Sequence, residues 1–341
     1  MTANRPCRLT VSVERWPLKT PFHITGHTFV NLDAVVVALE CDGAIGVGEA
    51  AGVYYKKDDA DSIVPLIESK RAVLEAGVDR DELRRLLPAG GARNAVDCAL
   101  WDLEAKLQKK PAWQLAGLAE LKPLTTTFTC GANPPDKMAE VARAYVGARA
   151  GARAIKLKLT GDPMDADRVK AVRSACPDVW LGVDANQGFT RAALEALMPT
   201  LVETDVQLIE QPFPVGREHE VDGLQSPIPL AADESVQDAA DIPPLAGRFN
   251  VVNIKLDKCG GLTEAFAMAH VARRHGLDVM VGNMTGTALA VAPALLIGQL
   301  CKVVDLDGAI FLRNDRTPGT VYENGTVWCP PAVWGGVGID P

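Results

Sequence analysis

Between Ala154 and Asp233 the chain repeats one pattern, an apolar β-like run that ends in a charged residue. The runs read AIKLK, LGVDAN, VQLIEQPF and PLAADES. Their closing charges, Lys158, Asp184, Glu210 and Asp233, lie 26, 26 and 23 residues apart. A strand followed by a helix uses about 20–30 residues, so charges at that interval mark the C-terminal ends of successive strands in a (β/α) barrel, where active sites gather. The pattern runs on to Lys255 in VVNIK and Asp305 in VVDLD.

Ahead of this pattern, RLTVSVERW, VNLDAVVVALEC and IGVGEAAG read as strands, with the Asp42-Gly43 pair as a hairpin turn. The Pro- and Gly-punctuated LKTPFHITGHT, holding Lys19, His23 and His27, reads as a loop. Helical periodicity follows in SIVPLIESKRAVLEAG, DRDELRRLL and ARNAVDCALWDLEAKL, so the first part is a compact α+β domain ending near Leu121. From Thr125 onward strands and helices alternate through eight strands, which predicts a closed parallel barrel. The tail from Asp315, rich in Pro, Gly and Trp, reads as irregular and as folding back on the N-terminal domain.

At 341 residues the chain suits two domains, or one large barrel with an appendage. A net charge of −8 argues against nucleic acid or an anionic membrane as partner, since either would want a basic face. The eight cysteines are scattered without CxxC or CxxH spacing, as expected of reduced thiols in the cytoplasm. No run has the length of a signal peptide or a membrane span. The expected partners are a small-molecule substrate and further copies of the chain in a homo-oligomer.

Asp184, Glu210 and Asp233, on three consecutive strands, would converge above the barrel axis. Three carboxylates so placed need a cation, and oxygen ligands favour a hard divalent ion, one Mg²⁺ per subunit with Mn²⁺ possible. The plainer reading is three solvated loop acids with local cationic partners. Lys156 and Lys158 alternate in register, so both point into the barrel, where burial and a nearby cation should lower the lysine pKa toward that of a base. Lys255 faces them from across the barrel. Two lysines on opposite sides of a metal-bound carboxylate can remove a Cα proton from one face and return one to the other; the alternative is that they only neutralise the acids. Asp305 and Asp307, a DxD on the last strand, would meet a cationic part of the substrate, or else pair structurally with a lysine such as Lys156. Asn186 and Glu234 are read as groups that orient the ligand carboxylates. Asp257 and Lys258 are read as surface residues or outer partners of the site, and Gly260-Gly261 as a tight turn.

KLKLTGD, VDANQGF, IEQPF, AADES, NIKLDKCGGLTEA and VVDLDG resemble, in order and spacing, the motifs of the enolase superfamily, muconate lactonizing subgroup. LLPAGGARNAVDCALWDLEAK and the DxD look most like the dipeptide epimerases of the L-Ala-D/L-Glu type. This resemblance implies a modified TIM barrel, (β/α)7β, under an N-terminal α+β capping domain. The expected division is 1–123 for the cap, 124–314 for the barrel and 315–341 for a tail packed back on the cap. It also implies Mg²⁺ on Asp184, Glu210 and Asp233, with Lys158 and Lys255 as the acid/base pair. Lys156 would hold the substrate carboxylate, and Asp305 and Asp307 the dipeptide ammonium. The implied reaction is inversion of the C-terminal residue's Cα through an enediolate. The capping loop FHITGHTF lacks the arginine that glutamate-specific members use, leaving Lys19, Lys56 or the histidines as substitutes. Racemisation of N-acylamino acids is the alternative within the fold. Muconate cycloisomerase or o-succinylbenzoate synthase chemistry is a third reading, disfavoured because the DxD would repel a dianionic muconate, and a non-enzymatic binder would not need both lysines.

Overall fold

The computed structural model describes residues 5–24 and 27–336, with backbone alone for residues 22–24 and 27. Strands β1 (Arg8–Ile24), β2 (His27–Cys41) and β3 (Ala44–Ala50) form an antiparallel sheet in that order. At the β2–β3 turn Asp42 and Gly43 have φ of 49° and 78°, the positive values that a tight hairpin needs. The stretch expected to be a loop is strand on both sides of residues 25–26: after a register shift beyond Pro17 the ladder resumes at Phe22 and Phe29. Pro17 and Pro21 are tolerated there because β1 is an edge strand.

Four helices follow: α1 (Ala60–Glu68), α2 (Arg71–Ala76), α3 (Arg80–Leu86) and α4 (Gly91–Gln108). The continuous periodicity from Ser62 breaks at Ser69-Lys70, giving two helices rather than one. Asp59 with Ser62, and Asp79 with Glu82, close capping boxes at the starts of α1 and α3. Helix α4 is the spine of the molecule. Ala95, Ala99 and Leu103 pack into the core of the N-terminal sheet, while Cys98, Trp101 and Ala105 belong to the barrel core. It lies so close to β3 that a Cβ on Gly46 or Gly48 would come within 2.2 Å of the carbonyl oxygens of Ala99 and Ala95. Both glycines are required by that approach.

After α5 (Ala112–Leu115) and β4 (Leu124–Thr125) comes the parallel sheet, read in chain order as follows. Strand β5 (Thr127–Cys130) leads to α6 (Pro135–Gly147), β6 (Ala154–Lys158) to α7 (Asp165–Ala175), and β7 (Trp180–Asp184) to α8 (Arg191–Glu203). Strands β8 (Val206–Glu210) and β9 (Leu230–Ala232) are followed only by short 3-10 turns. Strand β10 (Val251–Lys255) continues into α9 (Leu256–Cys259) and α10 (Leu262–Arg274), then β11 (Asp278–Gly282), α11 (Ala288–Gly298) and β12 (Val303–Asp305). The strands pair sequentially from β5 to β12. Among the described residues β12 is followed by a 3-10 turn (Gly308–Phe311) and no α-helix, so the expected barrel that ends on a strand is present, with 3-10 turns in place of the helices after β8 and β9. Side chains tie the two end strands together: Thr126 Oγ1 accepts from Leu306 N–H at 2.9 Å, and Thr127 donates to Asp305.

The tail is more regular than its composition suggests. Strands β13 (Val321–Glu323) and β14 (Thr326–Trp328) form a hairpin that adds to β4. Its turn, Asn324-Gly325, has φ of 52° and 77°, and Asn-Gly between alternating residues is itself a strong hairpin signal. Beyond it, Trp334 donates to Cys98 O at 3.1 Å and Gly335 N–H to Asp102 at 2.8 Å, both on α4. All eight cysteines are free. Among the described residues no helix is long and apolar enough to cross a membrane.

The seam offers a test. Thr126→Val keeps shape but removes the acceptor of a buried N–H, so unfolding free energy should fall by about 1–3 kcal/mol. An unchanged urea midpoint would show that the seam is held by other contacts.

Candidate active site at the mouth of the barrel

Strand register brings the charges to one level. Lys158 pairs with Asp184, Asp184 with Glu210, Lys255 with Gly282 and Gly282 with Asp305. Asp233 follows the last residue of β9. Gly282 makes room in this ring, since a Cβ there would stand 2.8 Å from Lys255 Cε and 2.9 Å from Asn253 Oδ1.

Asp184, Glu210 and Asp233 are buried and bring one oxygen each within 4.8 Å of one another. Each carboxylate is divided between two partners. Asp184 Oδ1 accepts from Asn186 N–H at 2.8 Å, and Oδ2 from Lys158 at 2.6 Å. Glu210 Oε1 accepts from Asn253 Nδ2 at 2.7 Å, and Oε2 from Lys156 at 3.4 Å. Asp233 Oδ1 accepts from Lys258 at 2.5 Å, and Oδ2 from Lys255 at 2.6 Å. An all-carboxylate trio at this spacing fits a hard divalent ion, Mg²⁺ before Mn²⁺.

The electrostatics express the same demand for a cation. Burial, together with the Asp184 charge, pushes the Glu210 carboxyl up to about 8 against the pull of Lys156. Burial also works to raise Asp233, but Lys255 and Lys258 outweigh it and hold its carboxyl well below the usual range. Lys156 departs from the expected lowering, and Lys255 is shifted the same way. Burial alone would lower both, yet Asp305 and Glu210 around the one, and Asp233 and Glu210 around the other, raise them. The surrounding carboxylates thus favour the protonated form of both lysines.

The other expected residues also converge here. Asn186 Nδ2 reaches Glu234 Oε1 at 3.3 Å. Glu234 Oε2 is buried without a partner, and its carboxyl is pushed up to about 7 by burial and by Asp233. Asp305 is bonded to Lys156 and Thr127, which is the structural pairing weighed as its alternative. Asp307 accepts from Thr129 N–H at 2.7 Å, and burial and Asp305 push its carboxyl up to about 6. Asp257 and Lys258 are not on the surface. Asp257 is buried and accepts from the N–H groups of Ala51 and Gly52, both at 3.0 Å, and Lys258 sits beneath Asp233. Lys19 donates to Ile310 O at 2.8 Å. In the capping loop FHITGHTF, residues 25–26 and the side chains of residues 22–27, His23 and His27 among them, lie outside the described residues.

Asn253, Gln211 and Thr129 escaped the sequence reading. Asn253 precedes Lys255 by two and therefore shares its face, a signal present in the alternation of VVNIK. Gln211, whose Oε1 accepts from Asp233 N–H at 2.8 Å, sits in a left-handed conformation (φ 34°) that no pattern announced. A cavity of about 420 Å³ opens over the ring, walled on the cap side by Phe29, Tyr54 and Tyr55. Tyr54 makes edge-to-face contacts with Phe29 and Tyr55 at 5.3 and 5.2 Å.

Residues 7–117 match the family described as mandelate racemase/muconate lactonizing enzyme, N-terminal domain, and residues 137–341 that described as enolase C-terminal domain-like. This chain belongs to the enolase superfamily. Within the superfamily it is 39% identical, over 92% of its length and 96% of the relative's, to L-Ala-D/L-Glu epimerase of Escherichia coli K12. It is also 39% identical, over 76% of its length and 81% of the relative's, to N-acetyl-D-glutamate racemase of a Pseudoalteromonas species. Its structure superposes on an enolase family member from Agrobacterium tumefaciens with homology to dipeptide epimerases, solved with bound sodium and L-Ala-L-Glu. There the TM-score is 0.91 at 38% identity, covering 97% of this chain and 100% of the other.

Metal loading should release a proton, because Glu210 holds its proton up to about pH 8 and a ligand must be ionised. Apparent Mg²⁺ affinity should therefore rise with pH, by up to about tenfold per unit for one proton, and level off above pH 8. Calorimetric titration in buffers of different ionisation enthalpy measures the proton count, and a value of zero below that pH would contradict the prediction.

Proposed function

We propose that this protein is a Mg²⁺-dependent dipeptide epimerase that inverts the Cα of the C-terminal residue by two-base proton transfer. The observation that carries this reading is the order of charges around the barrel: Lys158 on β6 bonds one end of the carboxylate trio and Lys255 on β10 bonds the other. Asp184, Glu210 and Asp233 would hold the ion, which supplies positive charge to the substrate carboxylate as negative charge gathers there.

Lys158 takes the Cα proton from one face while Lys255 delivers one to the opposite face, and the roles exchange for the other enantiomer. Lys156, held by Asp305, adds a fixed positive charge beside the carboxylate as it becomes enediolate. Asp307, on the cavity wall, receives the dipeptide's ammonium. Phe29, Tyr54 and Tyr55 cover the reacting end from the cap side and keep water from it. A homo-oligomer in the cytoplasm is the expected form, the compartment resting on the free thiols.

N-acylamino acid racemisation is the second reading, favoured by the Pseudoalteromonas relative. Asp307 distinguishes the two, since an acylated substrate leaves it facing an amide. Acetylating the amino group of a good dipeptide substrate should lower kcat/KM by roughly ten- to hundredfold, the worth of a charge-assisted pair of about 1.5–3 kcal/mol. Asp307→Asn should shrink that penalty. Fast turnover of N-acylamino acids with inert free dipeptides would replace the epimerase by the racemase.

Lys158→Ala and Lys255→Ala should each lower epimerisation by about 10²–10⁴-fold. Each variant should still exchange, in D₂O, the Cα proton of the enantiomer served by its remaining lysine. Normal inversion by either one would remove that lysine from the chemistry.

A further inference from the structure

Lys258 is a buried cation that the proton-transfer scheme does not use. Its side chain has no exposed surface, and its ammonium donates to Asp233 Oδ1 and Asp233 O, both at 2.5 Å, and to Asn253 O at 3.1 Å. Lys255 meets Asp233 alone, through Oδ2 at 2.6 Å. The two lysines are three residues apart, joined by the single turn of α9, so both reach one carboxylate from different sides. The turn closes on Gly260, left-handed at φ 81°, where a Cβ would stand 2.2 Å from Arg93 Nε.

We infer that Lys258 is a positioning residue of the metal centre, fixing one oxygen of Asp233 so that only the oxygen now bonded to Lys255 is open to a cation. Asp233 is anchored at every other polar atom: Gln211 takes its N–H, and Lys258 its carbonyl and Oδ1. The other two acids follow the same rule, with Asn186 N–H and the Asn253 amide as anchors and Lys158 and Lys156 on the opposite oxygens. Among these three anchors Lys258 alone is charged, and its three acceptors hold it in place. A cation on the trio and Lys255 would therefore have to share the one oxygen that Lys258 leaves, so that holding a cation would leave Lys255 free toward the substrate.

The test compares wild type with Lys258→Met, which keeps length and removes the charge. In calorimetric Mg²⁺ titrations the variant should bind about 10–100-fold more weakly, as when a group that orients a metal ligand is lost. Unchanged or tighter binding would overturn the inference. At saturating Mg²⁺, Cα exchange in D₂O is then followed separately for each enantiomer, the faces being assigned with Lys158→Ala and Lys255→Ala. The half-reaction of Lys255 should fall at least about tenfold further than that of Lys158, because an unanchored carboxylate can turn and keep Lys255. Equal losses on both faces would mean a merely structural role and would also overturn it. Should Lys258→Met not fold, Lys258→Gln carries the same two readouts. The second arm rests on the epimerase reading: a wild type that exchanges no Cα proton refutes that reading and leaves the Mg²⁺ comparison as the test of Lys258.

Discussion

Three carboxylates buried within 4.8 Å of one another set the terms for the rest of this molecule. An unpaired buried charge costs several kcal/mol, so the trio is sustainable only with cations built around it. The chain supplies Lys156 and Lys158 from β6, Lys255 from β10 and Lys258 from α9. The sharing of each acid between a fixed donor and a lysine makes stability and chemistry the same problem. Three of the lysines that pair with the acids, Lys156, Lys158 and Lys255, also line the cavity above them. A barrel suits this arrangement because parallel strands end at one level and deliver side chains from several directions to a single point.

The cap is fixed to that point by polar anchors as well as by α4. Asp257, in the turn just after Lys255, holds the backbone that leads into Tyr54 and Tyr55. Glu49 at the end of β3 accepts from Thr287, the N-cap of α11, and from Arg316 of the tail, which also bonds Glu14 on β1. Cap, barrel and tail thus share one hydrogen-bonded cluster around the buried Glu49. Among the described residues, Tyr54 and Tyr55 of the cap are held in register with the lysines by covalent neighbours and hydrogen bonds.

Much of this was legible because the decisive residues sit on regular elements. Alternation placed Lys156 with Lys158, and the strand–helix interval placed Asp184, Glu210 and Asp233 on one rim. The helix α8 follows its apolar spacing from Arg191 to Glu203. What stayed hidden depends on partners far away in sequence. Nothing local says that Asp305 is spent on Lys156, or that Lys258 lies under Asp233 instead of in water. The β1–β2 ribbon was hidden by its prolines, which an edge strand accommodates. The Asn-Gly hairpin of the tail was visible in principle, masked by the surrounding Pro, Gly and Trp. The raised pKa of Lys255 comes from Asp233 and Glu210, partners at the ends of other strands that no local pattern announces.

In the proposed reaction the ring of charges moves a proton on and off one Cα. The most direct measurement is ¹H NMR of a dipeptide library in D₂O with the Mg²⁺-loaded protein, repeated after chelation. Loss of the Cα proton of the C-terminal residue alone, with appearance of its epimer and with both effects abolished by EDTA, is the expected result. A library left fully protonated, or exchange that persists without metal, would contradict it.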